Sequence, residues 1–169
     1  MTHKMLYLSG PCVVNGGIMR LALFQPDIPQ NAGTLLRLGA CLGVPIDIIE
    51  PCGFLFTDRH LRRAGMDYLD QVEWLRHESW DRFLQTASGK RLILLTVQGA
   101  VSYLEFAFQP DDILIVGRES AGAPPEVHDR VEARIKIPLK PGLRSLNVAQ
   151  AGAMVLGEAL RQTRGFPVS

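Results

Sequence analysis

Residues 137–160, IPLKPGLRSLNVAQAGAMVLGEAL, join two unlike patterns through a stiff loop. The stretch opens as the end of a buried strand and closes as a helix rich in Ala and Gly. Between them Pro138, Pro141 and Gly142 fix the backbone ahead of Ser145, Leu146 and Asn147. Proline locks φ, and glycine enters turns closed to other residues. Such rigidity suits a pocket that recognises a small ligand through amides and carbonyls. The helix predicted over 146–163, with Ser145 as its N-cap, carries Ala149, Ala151, Gly152, Ala153, Gly157 and Ala159. An interior Gly costs about 1 kcal/mol relative to Ala, so the glycines point to close backbone contact. Tight packing inside the domain and a subunit interface explain that contact equally well.

The same strand-to-helix alternation recurs upstream. RLALF (20–24), PIDIIE (45–50), RLILLTV (91–97), DILIVG (112–117) and ARIKIPL (133–139) read as strands. Most are apolar at consecutive positions, as expected of parallel strands covered on both faces. Residues 31–43, 58–65, 79–87 and 101–107 read as helices, with Asn31 as an N-cap and Ser79 opening a helix that has an acidic first turn. The order predicts an α/β fold, a mainly parallel sheet flanked by helices. No repeat or linker interrupts it. One domain is therefore expected over 19–169, with residues 1–18 an N-terminal extension ahead of the first strand.

The bulk numbers exclude several classes. The 169 residues are 47% hydrophobic and 21% charged, as in ordinary globular domains. No apolar run approaches 18 residues, and the N-terminus lacks a signal-peptide apolar region, so neither a membrane span nor secretion is expected. Cys12, Cys41 and Cys52 form no CxxC pair. A disulfide framework or metal site is therefore unsupported, and a reduced, cytoplasmic setting is expected. Net charge is only +1, below the balance of a general nucleic-acid binder. Local charge says more. Arg134, Lys136, Lys140 and Arg144 occur in 133–157 without an acid, and DRHLRRAG (58–65) holds Arg59, Arg62 and Arg63 against one Asp. Solvated faces would explain any one of them; their concentration makes Arg59, Arg62, Arg63 and Arg144 candidate nucleic-acid contacts.

Sites in parallel sheets lie beyond the carboxyl ends of strands, which directs attention to QPDIPQNAG, EPCGF, GRESAGAPP and PLKPGLRSLN. In the first, two prolines stiffen the turn. Arg37, among Leu35, Leu36 and Leu38, needs a partner or a solvent-filled cleft. In the third, Gly117, Glu119 and Gly122 form G-x-E-x-x-G, a tight turn whose carboxylate can hold backbone N–H groups. A dinucleotide-binding oxidoreductase is disfavoured, because no GxGxxG follows a strand.

Taken in order, NAGTLLR, GRESAG and IPLKPGLRSLN resemble the three signature motifs of the SPOUT superfamily of RNA methyltransferases. IIEPCGF, RHLRRAGMDY and the LLTVQG strand extend the likeness, over about 20–163, to its short members that methylate the wobble cytidine or uridine of tRNA. The resemblance implies S-adenosylmethionine as donor, a tRNA ribose 2'-hydroxyl as acceptor, a homodimer and a C-terminal trefoil knot. It implies a cofactor pocket at Leu95, Thr96, Gly117, Glu119, Gly122, Ile137, Leu139, Ser145, Leu146 and Asn147, with Asn31 and Arg37 as catalytic residues on the substrate side. Guanidinium is effectively never deprotonated, so Arg37 aligns ribose or phosphate, and a substrate phosphate can take the proton. Two departures bear on substrate choice: the charge of Arg118 in the second motif, and the small pair Ser120-Ala121. Methylation at another tRNA or rRNA position, or a noncatalytic RNA-binding dimer, are the alternatives.

Overall fold

A computed structural model describes residues 17–55 and 71–168. The predicted helix 58–65, with Arg59, Arg62 and Arg63, lies outside the described residues. The described chain runs β1 (Arg20–Phe24), α1 (Pro29–Leu42), β2 (Ile46–Ile49), β3 (Trp74–His77), α2 (Trp80–Thr86), β4 (Leu92–Leu95), β5 (Val101–Ser102), β6 (Ile113–Val116), α3 (Pro125–His128), β7 (Ala133–Lys136) and α4 (Val148–Thr163).

The strands form one sheet in the order β3-β2-β1-β6-β4-β7-β5, and every pairing is parallel. Side chains alternate between its faces. Leu21 and Leu23 enter a core shared with Leu35, Leu36, Val155, Leu156 and Leu160 of α1 and α4. Ala22 and Phe24 enter a second core with Trp80, Phe83 and Val127 of α2 and α3. Burial on both sides is why these strands are apolar at consecutive positions.

Polar groups also tie three strands together on the face that carries Ala22 and Phe24. The Asp47 carboxylate accepts from Arg20 Nε at 2.7 Å, from its terminal nitrogen at 3.1 Å and from His77 Nε2 at 2.8 Å. Burial works against the charged form, but the His77 and Arg20 hydrogen bonds outweigh it and hold this carboxyl below its ordinary range. One buried side chain thus fastens β1, β2 and β3 together.

Several local expectations are corrected. Residues 101–107 do not form a helix: Val101 and Ser102 pair with Ile135 and Lys136 of β7. The chain then turns, with Ser102 Oγ accepting from Leu104 N at 3.3 Å, so an edge pairing overrides a weak helical pattern. Asn31 is not a cap, because α1 begins at Pro29 after Ile28. Ser145 is not one either. Asn147 caps α4, its side chain accepting from Ala149 N and Gln150 N. Ser79 does cap α2, through Arg82 N. The short β3 and β5 had no strand-like apolar run to announce them.

Candidate functional site

At the carboxyl ends of β1, β4, β6 and β7 the loops enclose a cavity of about 600 Å³. Its walls contain Leu95, Thr96, Gly117, Glu119, Gly122, Ile137, Leu139, Ser145, Leu146 and Asn147, together with Asn31 and Arg144. The topology explains the convergence. Strand β6 lies between β1 and β4, so the loop leaving β6 meets those that follow its neighbours on both sides.

The β6 loop is held by its own backbone. Arg118 N donates to Gly122 O at 3.1 Å and Gly122 N returns to Arg118 O at 2.9 Å. Gly122 has φ +67°, and a Cβ on Gly117 would stand 2.6 Å from the Gly122 carbonyl carbon. Both glycines of G-x-E-x-x-G are therefore required, one for its left-handed backbone and one for close approach.

Glu119 then locks this hairpin to the first loop. Its carboxylate accepts from Asp27 N at 2.9 Å and from Asn31 Nδ2 at 3.1 Å, and Glu119 N donates back to Asp27 Oδ1 at 3.2 Å. Ser120 Oγ also donates to Asp27. Asn31 Oδ1 accepts from Asn147 Nδ2 at 2.9 Å, which brings in the third loop. The two carboxyls titrate in opposite directions. Hydrogen bonding to Glu119, reinforced by Ser120, holds Asp27 down at about 2. Burial, and then the hydrogen bond with Asp27, push Glu119 up from the usual glutamate value.

The third loop is less covered. Residues 141–147 are all exposed, so Pro141 and Gly142 hold its shape without packing over it. Leu146 and Val97 line the cavity yet are 38% and 64% exposed. Apolar walls left open to water suit an apolar ring of a ligand.

Of the sequence-predicted residues, Arg37 stands apart. It is exposed on α1, 240° around the helix from Asn31 at about 100° per residue, and does not line the cavity. The segment EPCGF stays off the cavity wall, although Gly53 N braces the first loop through Pro26 O at 2.9 Å. Sequence reasoning missed His128, Gln98 and Ala151 as lining residues. For His128 the available signal was the Pro124-Pro125 helix start, which sets its turn beside the hairpin. Among the described residues no group of three or more His, Cys, Asp or Glu is gathered to hold a metal ion. No described helix is long and apolar enough to cross a membrane.

Comparison with known proteins places this geometry. A tRNA (cytidine(34)-2'-O)-methyltransferase of Beijerinckia indica is 62% identical over 144 residues, 84% of this chain and 90% of the relative. A solved structure concerned with the 2-OH methylation of C/U34 on tRNA superposes with a TM-score of 0.81 at 42% identity, covering 87% of this chain and 97% of that one. An AdoMet-bound rRNA methyltransferase from Sinorhizobium meliloti superposes with a TM-score of 0.76 at 28% identity, over 86% of this chain and 56% of that one. Residues 18–157 match a family model and include every wall of the cavity: the chain belongs to the SpoU rRNA Methylase family.

Proposed function

We propose that the chain transfers a methyl group from S-adenosylmethionine to the ribose 2'-hydroxyl of tRNA, at the wobble cytidine or uridine. The observation that carries this reading is the cavity of about 600 Å³ formed where the three motif loops converge. The 62%-identical relative named for cytidine 34 supports the choice of nucleotide.

The residues present fit the methyl donor. The volume suits a ligand of that size. Leu95, Ile137, Leu139 and Leu146 offer apolar walls for a purine, and Thr96, Gly117, Glu119, Gly122, Ser145 and Asn147 offer polar and backbone groups. When bound, S-adenosylmethionine supplies an electrophilic methyl group on a positively charged sulfur. The chain's own contribution is positioning, which can account for a large share of such a barrier. Gly117 and Gly122 keep the hairpin narrow. Glu119 and Asn147 hold Asn31 in one orientation on the substrate side. Arg37 aligns the ribose or its phosphate as a permanent cation, and the substrate phosphate accepts the hydroxyl proton.

Arg37 lies away from the cavity of its own chain, so this reading includes a homodimer in which the site is completed across subunits. Support comes from the outer face of α4. Gly157 has open space where a Cβ would go, and Met154 beside it is 43% exposed. The reading also takes 19–169 as one domain with 1–18 an extension, a C-terminal trefoil knot from family membership, no metal, and a cytoplasmic setting. Arg59, Arg62, Arg63 and Arg144 complete it as RNA contacts.

The test is methyl transfer from labelled S-adenosylmethionine to unmodified tRNA, with the labelled nucleoside mapped. Label at nucleotide 34 as a 2'-O-methyl pyrimidine is expected. The rRNA-acting relatives favour a second reading, methylation at another tRNA or rRNA position, which label elsewhere would establish. RNA binding without transfer would leave a noncatalytic binder.

A further inference from the structure

Arg118 is unexplained by the network just described. Its backbone is fixed on both sides by the hydrogen bonds to Gly122. Its guanidinium lies over the Phe24 ring, 5.7 Å from the centroid, a contact that orients the plane. Its Nε is buried and has no hydrogen-bond partner among the described residues. Buried donors are almost always paired, so this one calls for an acceptor beyond the described residues.

The neighbouring carboxylates are already engaged. Asp27 serves Ser120 and Glu119 N, Glu119 serves Asp27 N and Asn31, and Glu50 serves Arg76. Among the described residues no carboxylate pairs with Arg118, and an anion complements its charge better than a neutral base edge would. Its location favours one source. Phe24 belongs to the α2 face of the sheet, whereas Leu95, Ile137 and Val148 of the cavity pack with the α1 and α4 face. Arg118 lines the cavity and places its guanidinium over Phe24 at the end of β1. Gln25, next in the chain after Phe24, has a buried Oε1 that is also without a partner among the described residues. An unpaired acceptor here suits a ribose hydroxyl beside a phosphate, not the phosphate itself.

We propose that Arg118 is a positioning residue that binds a backbone phosphate of the RNA substrate beside the reacting ribose. The inference rests on the methyltransferase reading above and adds to it a phosphate contact on the β1 flank of the cavity. Guanidinium matches phosphate geometry through parallel N–H donors.

The experiment measures binding of an unmodified tRNA transcript to the full-length protein across a salt series, for wild type, Arg118→Ala, Arg118→Gln and Arg118→Lys. S-adenosylhomocysteine affinity and melting temperature are measured in parallel. Loss of the charge should make the log–log salt dependence shallower by about 0.7 to 0.9, the value for one phosphate contact. Arg118→Lys should restore the slope, and S-adenosylhomocysteine affinity should hold. Arg118→Gln keeps most of the side-chain bulk over Phe24, so a purely structural role would move melting temperature and leave the slope alone. An unchanged slope in Arg118→Gln overturns the proposal. So does a fall in S-adenosylhomocysteine affinity with tRNA binding intact, which would reassign Arg118 to the donor's carboxylate. Wild type that methylates RNA with Arg118 variants of unchanged slope defeats this inference alone; wild type that binds neither ligand defeats the function reading with it.

Discussion

The side-chain amide of Asn147 donates to Oδ1 of Asn31 across 2.9 Å, joining positions 116 residues apart. Asn31 spends its other end on Glu119, 3.1 Å away. An amide can donate at one end and accept at the other, and no other side chain of that length does both without charge. Asn31→Ala should strand the Glu119 oxygen and the Asn147 amide together. Both groups are partly open to water, so the loss should stay at or below about 1 kcal/mol; thermal unfolding should occur slightly earlier, and S-adenosylhomocysteine affinity should fall as the loops separate. Asn31→Asp should be worse, because a carboxylate oxygen would face Glu119. An Asn31→Asp protein as stable as wild type would disprove the bridging role.

The pH dependence of stability follows from the opposed carboxyls. Asp27 is depressed to about 2, so its contribution is present above the ordinary carboxyl value and lost as pH falls toward 2. Glu119 is raised. Its contribution is therefore full below the ordinary glutamate value and lost as pH rises through the elevated one. Stability measured by denaturant titration should decline as pH rises from the ordinary glutamate value to the elevated one and level off above it, and Glu119→Gln should remove that decline. The amide keeps one acceptor and gives up the other, so the variant should be less stable overall by about 1 kcal/mol. A pH profile identical to wild type would show that Glu119 titrates normally.

The fold was legible because the information was local. β1, β2, β4 and β6 are buried on both faces, and continuous apolar runs announced them. β3, WLRH, is only partly buried apart from His77, and β5 is a two-residue edge pairing, so neither could show a pattern. The Asn31 cap assignment failed for a tertiary reason. Asn31 turns its amide toward Glu119 and Asn147 instead of its own helix, which no local propensity encodes. The cavity residues were legible as Gly- and Pro-stiffened loops after strands, and their convergence follows from strand order. Arg118 could be seen as a departure in its motif, but that its Nε finds no partner among the described residues shows only in three dimensions.

The small residues of α4 divide between two causes. A Cβ on Gly152 would come within 3.1 Å of Leu35 Cδ2, so this glycine serves the packing of α4 on α1 inside the chain. Gly157 meets nothing within 4 Å. Gly157→Arg should therefore leave the monomer fold intact and break the proposed dimer, with activity falling as the proposed shared site is lost. Gly152→Ala should instead change stability, the crowding against Leu35 partly offset by the better helix propensity of Ala. Sedimentation at micromolar concentration distinguishes them. A Gly157→Arg protein that remains a fully active dimer would rule out this face as the interface.

Arg37 and the basic residues separate catalysis from binding. If Arg37 orients the ribose in the transition state, Arg37→Ala should lower kcat by orders of magnitude and leave S-adenosylhomocysteine affinity nearly unchanged. Its exposed position on α1 makes the outcome depend on the dimer. A mixed dimer of Arg37→Ala with a subunit crippled in its own cavity by Gly117→Val should keep about half the wild-type sites in one arrangement and none in the other, according to whether the two residues serve the same site. Arg59, Arg62, Arg63 and Arg144, by contrast, are expected to meet phosphates. Each change to Ala should weaken tRNA binding and make the salt dependence shallower by about one contact. Net charge is only +1, so attraction of RNA depends on such patches and not on the molecule as a whole. Single-turnover methylation at several salt concentrations reads both effects at once. A normal rate for Arg37→Ala would remove it from the site, and an unchanged slope for the other four would make them solvated surface arginines.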